Sequence, residues 1–163
     1  MTVTSYALAL GSNRRSRHGS PAQMIAAAAK ELGVERLSTI RATEAVGPAG
    51  RAFANAAAIL RSRLDPPELL AELKALESAF GRRPGRRWGP RVLDLDIVLW
   101  SKGSWVGPGL IVPHPEFRRR AFVLEPLAEV AADWRDPLTG LTIRHLLARL
   151  RRRAPVDPGS ART

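Results

Sequence analysis

The sequence predicts an α+β fold: strand, helix, strand, strand, helix, strand, with a helical extension after the last strand. Three observations predict it. Apolar segments of strand length alternate with two segments of helical period, both helical segments open on capping residues, and turn formers separate the segments. At 163 residues the chain has room for one domain and too little for two. Residues 1–150 are expected to form that domain. Residues 151–163, rich in Arg, Pro, Gly and Ser, are expected to be a disordered basic tail.

The first strand is Val3–Leu10, whose small alternating residues suit a central position; Gly11-Ser12-Asn13 reads as a plain turn that ends it. Ser20 as N-cap, Pro21 in the first turn and Gln23 three residues after the cap open a helix. It runs from Pro21 to Leu32, with Met24, Ala27, Ala28 and Leu32 at helical spacing, and Gly33 stops it. Val34–Thr43 is a second strand, with Leu37 and Ile40 as its larger apolar residues. Phe53–Leu60 is a third, with Asn55 inside an otherwise apolar run. Asp65-Pro66-Pro67-Glu68 opens the second helix, Leu69, Leu70, Leu73, Leu76 and Phe80 form its apolar face, and Gly81 closes it. Val92–Trp100 is the fourth strand. This order is that of a ferredoxin-like β-α-β-β-α-β sheet with helices packed on one face. Beyond a turn-rich 101–115, a short helix is expected from Glu125 or Pro126 and a last helix from Thr142.

Lys and Arg number 26 against 15 Asp and Glu, a net charge of +11. That balance suits nucleic acid and equally a polyanionic small substrate, so charge does not separate the two. With no cysteine, disulfides and thiolate metal sites are excluded. No apolar run approaches the ~20 residues needed to cross a bilayer, and residues 1–10 lack the basic start of a signal peptide. A cytoplasmic protein without a membrane partner is the expectation, and probing for oligomerisation is expected to find a monomer.

The chemistry concentrates around Arg87-Trp88-Gly89-Pro90-Arg91-Val92-Leu93-Asp94-Leu95-Asp96-Ile97. Strand alternation puts Leu93, Leu95, Ile97 and Leu99 on one face and Asp94 with Asp96 on the other. Two like charges so placed repel unless a cation sits between them. A hard divalent ion that keeps water and substrate phosphate among its ligands meets that need. Arg82, Arg83, Arg86, Arg87 and Arg91 lie just upstream without an intervening acid, and guanidinium forks hold phosphate oxygens well. The bland alternative is an exposed D-x-D on an edge strand beside a solvated arginine loop. Spacing alone does not choose between them.

The string R-W-G-P-R-x-L-D-L-D-I resembles the signature of the 6-hydroxymethyl-7,8-dihydropterin pyrophosphokinases, enzymes of folate biosynthesis. Similar blocks occur in family order at Tyr6–Asn13, Phe53-Ala54-Asn55-Ala56, Leu76-Glu77 with Gly81-Arg82, and Val112–Glu129. The resemblance implies Mg²⁺-dependent transfer of pyrophosphate from ATP to the pterin hydroxymethyl group, with release of AMP. By that likeness Asp94 and Asp96 hold two Mg²⁺ ions, and Arg82 and Arg91 contact the moving phosphates. ATP-side positions are Glu77, Arg82, Trp88, Arg91, Ile97, Leu110, Ile111, His114 and Arg120. Pterin-side positions are Thr43, Val46, Gly47, Phe53, Asn55, Asp94 and Phe122, the two phenylalanines sandwiching the ring. Asn55 carries donor and acceptor on one amide, as a pterin edge requires. The arginine loop 82–91 is expected to close over ATP.

The chain departs from the family pattern at Pro84, where a second arginine is usual, at Ala45, at Gly109, and in a short segment between Gly47 and Phe53. Two other classes compete. A basic ferredoxin-like module that binds RNA exposes aromatics on its central strands, whereas Val92–Leu99 offers carboxylates that repel phosphate, so nucleic acid is not the expected partner. A non-catalytic relative of the same fold has no evident use for an intact Asp pair, Arg91 and His114.

Overall fold

A computed structural model describes residues 2–13, 19–43, 53–81 and 92–153. The first strand, β1, spans Thr4–Ser12, and the helix α1 spans Pro21–Leu32. Ser20 and Gln23 form the expected capping box: the Gln23 N–H donates to Ser20 Oγ at 3.3 Å and the Ser20 N–H to Gln23 Oε1 at 2.8 Å. Gly33 ends the helix in the left-handed region at φ +69°, which only glycine adopts without penalty.

The expected second strand is two short ones, β2 (Arg36–Leu37) and β3 (Arg41–Thr43), both paired antiparallel with β4 (Phe53–Ser62). The break has a cause in Ser38. Its hydroxyl accepts the Ala57 N–H at 2.9 Å while its own N–H donates to the Ala57 carbonyl, so a side chain replaces one rung of the ladder. A second capping box, Asp65 with Glu68, opens α2 (Pro66–Ala79). Then follow β5 (Asp94–Trp100), a hairpin of β6 (Trp105–Gly107) and β7 (Leu110–Val112), α3 (Ala121–Val130) and α4 (Ile143–Arg153).

The main sheet has the order β2-β4-β1-β5, with β3 also on β4, and every pairing is antiparallel. Helices cover both faces. Tyr6, Leu8, Leu10, Ala56, Ala58, Leu93, Leu95 and Ile97 meet Ile25 and Ala28 of α1 and Leu69 and Leu73 of α2. Ala7, Ala57, Ile59, Val98 and Leu99 meet Leu124, Leu127 and Val130 of α3 and Ile143, Leu146 and Leu147 of α4.

Four further sequence expectations are corrected. Gly11 and Ser12 continue β1 instead of turning, because the Ser12 hydroxyl donates to the Val92 carbonyl and both residues stay paired with β4. Leu99 does not share a face with Leu93, Leu95 and Ile97. The register between β1 and β5 shifts between Ala7 and Leu8, leaving Val98 as the extra residue of a bulge and turning Leu99 toward α3 and α4. The third helix begins at Ala121, not at Glu125 or Pro126. Val123 and Leu124 donate to the Arg120 carbonyl, and the buried Val123, Leu124, Leu127 and Val130 outweigh the single bond that Pro126 cannot make. Finally, α4 starts as expected after Thr142, whose Oγ1 accepts the His145 N–H at 3.2 Å, but runs on through Arg153.

Candidate active site

The carboxylate pair stands near the start of β5, on the sheet face that also packs against α3. On the face shared with α3, the β5 carboxylates align with positions of β1 that carry almost no side chain. Asp94 is the register partner of Gly11 and Asp96 of Ala9. Gly11 and Ala9 are in turn partners of Asn55 and Ala57 on β4, and Arg41 on β3 is the next partner of Asn55. One row therefore reads Arg41, Asn55, Gly11, Asp94 across four strands. Gly11 has a specific use there, because a Cβ at that position would lie 3.3 Å from Asn55 Oδ1. The small side chains make a floor, with an amide at one side and two partly exposed carboxylates at the other.

Glu77 lies on α2 and is buried; its Oε2 accepts the N–H of Leu95 at 2.8 Å. Leu95 is the residue between Asp94 and Asp96, so a helix carboxylate fastens the strand at the point where it presents both. Ser12, expected from its neighbours to lie in a turn, fastens the Val92 carbonyl two residues before Asp94. The signal was the position of a hydroxyl at the end of an apolar strand.

His114 arrives from the other side. Its backbone N–H donates to the carbonyl of Val98, the bulged residue, at 3.0 Å. Its ring Nδ1 accepts the Glu116 N–H at 3.1 Å, so the imidazole carries its proton on Nε2. Burial pushes the His114 imidazole below its ordinary range, and the Arg120 guanidinium pushes it further. The carboxylates of Glu116 and Asp94 oppose that shift. Arg120 also lies over the Phe122 ring, 5.8 Å from its centroid.

Phe53 and Phe122 are not core residues: 45% and 53% of their surfaces are exposed. Arg41 of β3 pairs with Glu125 and Glu129 of α3, and the Thr39 N–H donates to Glu129 at 2.8 Å, so α3 runs antiparallel along β3. Phe122, one turn before Glu125, thus lies toward the Thr43 and Phe53 end. Of the remaining candidates, Ile97 is buried among the residues facing α1 and α2, so its side chain is core and only its backbone is left for a ligand. Leu110 packs against the same cluster, while Ile111 is half exposed. Thr43 ends β3 opposite Phe53. Val46, Gly47, Arg82, Trp88 and Arg91 lie outside the described residues, as do Arg83, Arg86, Arg87 and the expected closing loop.

Among the described residues no three His, Cys, Asp or Glu side chains gather as a metal cage. Two carboxylates on one strand face are a donor set for a hard cation that takes its other ligands from water and phosphate. No helix among the described residues is long and apolar enough to cross a membrane.

These features define an α+β protein whose antiparallel sheet carries a pair of partly exposed carboxylates near one end of an edge strand. A sequence model described as 7,8-dihydro-6-hydroxymethylpterin-pyrophosphokinase (HPPK) matches residues 7–132. The chain belongs to that family. It is 43% identical over 130 residues to the 2-amino-4-hydroxy-6-hydroxymethyldihydropteridine pyrophosphokinase of Synechocystis, covering 78% of this chain and 67% of the relative. The enzyme of that name from Methylorubrum extorquens is 37% identical over 155 residues, covering 91% and 94%. That from Pseudomonas aeruginosa is 40% identical over 148 residues, covering 86% and 88%. Among solved structures, wild-type HPPK-DHPS of Plasmodium falciparum with pteroate superposes with a TM-score of 0.67 at 13% identity, a likeness of fold. It covers 91% of this chain and 42% of that one, so the chain spans about two fifths of that structure.

Proposed function

We propose that the protein transfers the β,γ-pyrophosphoryl unit of ATP to the hydroxymethyl oxygen of 6-hydroxymethyl-7,8-dihydropterin. The bond from the β-phosphorus to the AMP oxygen breaks, a bond to the pterin oxygen forms, AMP leaves, and the hydroxyl proton is released. The observation that carries this reading is the row Asn55, Gly11, Asp94 in a chain of this family. It joins a bidentate amide to a carboxylate across a gap that glycine keeps open. The sheet order reads as a ferredoxin-like β-α-β-β-α-β unit in which β2 and β3 share the place of one strand, with α3 and α4 as the extension. Residues 1–150 are taken as the one catalytic domain.

In this reading Phe53 and Phe122 stack on the two faces of the pterin ring, and Asn55 hydrogen-bonds its edge. Thr43, Val46 and Gly47 complete that pocket. Asp94 and Asp96 hold Mg²⁺, with two ions expected. Bound there, the metal supplies charge neutralisation on the phosphates and orientation of the acceptor hydroxyl. His114 presents Nε2–H, and Arg120 a guanidinium, to the nucleotide side, where backbone groups near Ile97, Leu110 and Ile111 complete the wall. Arg82 and Arg91 neutralise the moving phosphates, with Trp88 from the same loop beside them. Glu77 acts on ATP through the strand it holds. The test is AMP formation from ATP: it should require magnesium and the hydroxymethyl pterin together. AMP formed without the pterin, or none with it, overturns the reading.

A further inference from the structure

The family match ends at residue 132, yet a residue beyond it reaches back to the segment carrying His114 and Arg120. Asp136 lies in the turn between α3 and α4 and is fully buried. Its Oδ2 accepts from Arg118 Nε and its Oδ1 from Arg118 Nη2 at 2.7 Å, a bidentate fork. The same carboxylate accepts the Thr139 hydroxyl at 2.7 Å and the Leu138 N–H at 3.0 Å. Arg118 stands in the 3-10 turn Phe117–Arg119, with its guanidinium 4.7 Å from the centroid of the buried Phe117 ring. The Phe117 N–H donates to the His114 carbonyl at 3.4 Å, and the Arg120 N–H to the Phe117 carbonyl at 3.3 Å. Residue 117 is thus bonded to both nucleotide-side candidates, and residue 118 is fixed by a buried carboxylate from outside the matched segment.

We infer that Asp136 and Arg118 are positioning residues for the nucleotide half of the cleft, where the fork holds the 3-10 turn that sets His114 and Arg120. The inference rests on the pyrophosphokinase reading for its substrate. Its geometric content, that the fork fixes His114, stands apart from that reading.

Asp136→Asn separates the fork from the turn. The amide oxygen still accepts the Leu138 N–H, while an NH₂ group now faces Arg118 where an acceptor is needed. Arg118→Met removes the other partner and keeps the length of the side chain. For both variants KM for ATP should rise between about 10- and 100-fold, with KM for the pterin within about twofold, since misplacement is confined to one half of the site. The double variant should be no worse than either single one, because the two residues act as a unit. In ligand-free protein the His114 ring resonances should move in both variants. Arg118→Lys, with charge but no fork, should fall between wild type and Arg118→Met, and it stands in should Asp136→Asn fail to fold. Unmoved His114 resonances, or a fall in kcat with both KM values unchanged, overturn the inference. If the wild type forms no AMP while the His114 shift is seen, the substrate reading fails and the positioning holds.

Discussion

The Glu77 carboxylate accepts the backbone N–H of Leu95, the residue between Asp94 and Asp96. β5 stands at the edge of the sheet, and on its outer side this buried helix carboxylate provides what a further strand would otherwise offer. Glu77→Ala leaves that N–H without this acceptor and opens space beneath the strand. The expected loss of stability is about 1–3 kcal/mol for the unsatisfied group alone. Glu77→Gln keeps an amide oxygen for Leu95 and should lose less. Urea denaturation of both variants checks the order, and equal losses would show that the charge matters more than the hydrogen bond.

Asp94→Ala and Asp96→Ala should each lower turnover by more than about 100-fold, the scale on which transition-state charge stabilisation is lost. Both side chains are partly exposed and face a floor of Ala9 and Gly11, so their removal opens no cavity. Thermal unfolding should change little. A variant that unfolds at room temperature would make the pair structural, and one with wild-type turnover would remove it from the metal site.

Much of this arrangement was legible in the sequence, and the failures have physical reasons. Both capping boxes announced α1 and α2, because Ser20 with Gln23 and Asp65 with Glu68 are local interactions. Strand alternation put Asp94 and Asp96 on one face, since the period of two holds wherever the ladder is regular. It failed at Leu99, because a bulge depends on the partner strand and leaves no mark in the bulged one. Gly11-Ser12 looked like a turn for a related reason: the acceptor that keeps Ser12 in its strand is Val92, eighty residues away. The exposure of Phe53 and Phe122 was not legible in the pattern, since an aromatic in an apolar run reads equally as core; only the family likeness pointed to a site there. Asp136 drew no attention, although Asp136-Pro-Leu-Thr-Gly140 is a turn signal, because its partner Arg118 was one arginine among many.

Phe53→Ala and Phe122→Ala test the aromatic pair directly. Each ring is about half exposed in the absence of ligand, so truncation should cost the fold little. Pterin affinity should fall by about 1 kcal/mol per stacked face beyond lost burial, or at least fivefold, while affinity for an ATP analogue stays within about twofold. Calorimetric titration with each ligand separates the outcomes. Equal weakening of both would indicate a general loosening of the cleft.

The pH response of His114 follows from its surroundings. Burial and the Arg120 guanidinium hold the imidazole below its ordinary range. The folded protein therefore binds fewer protons at this site than the unfolded chain. The stability this contributes is fully present above the unfolded value of about 6.5 and is lost as pH falls through the folded value. An NMR titration of the His114 ring should give a midpoint below that of an unstructured histidine. Arg120→Gln removes a positive neighbour while leaving the burial and the Glu116 N–H on Nδ1, so it should raise the midpoint toward the ordinary value. The protonated ring would also lose that acceptor, because Nδ1–H cannot receive the Glu116 N–H. Loosening of the 3-10 turn that follows should accompany protonation and appear as faster amide exchange at Phe117, whose N–H is bonded to the His114 carbonyl. A midpoint that Arg120→Gln leaves unchanged would mean that the guanidinium does not act on the ring in solution, and the placing of His114 and Arg120 together on the nucleotide side would have to be abandoned.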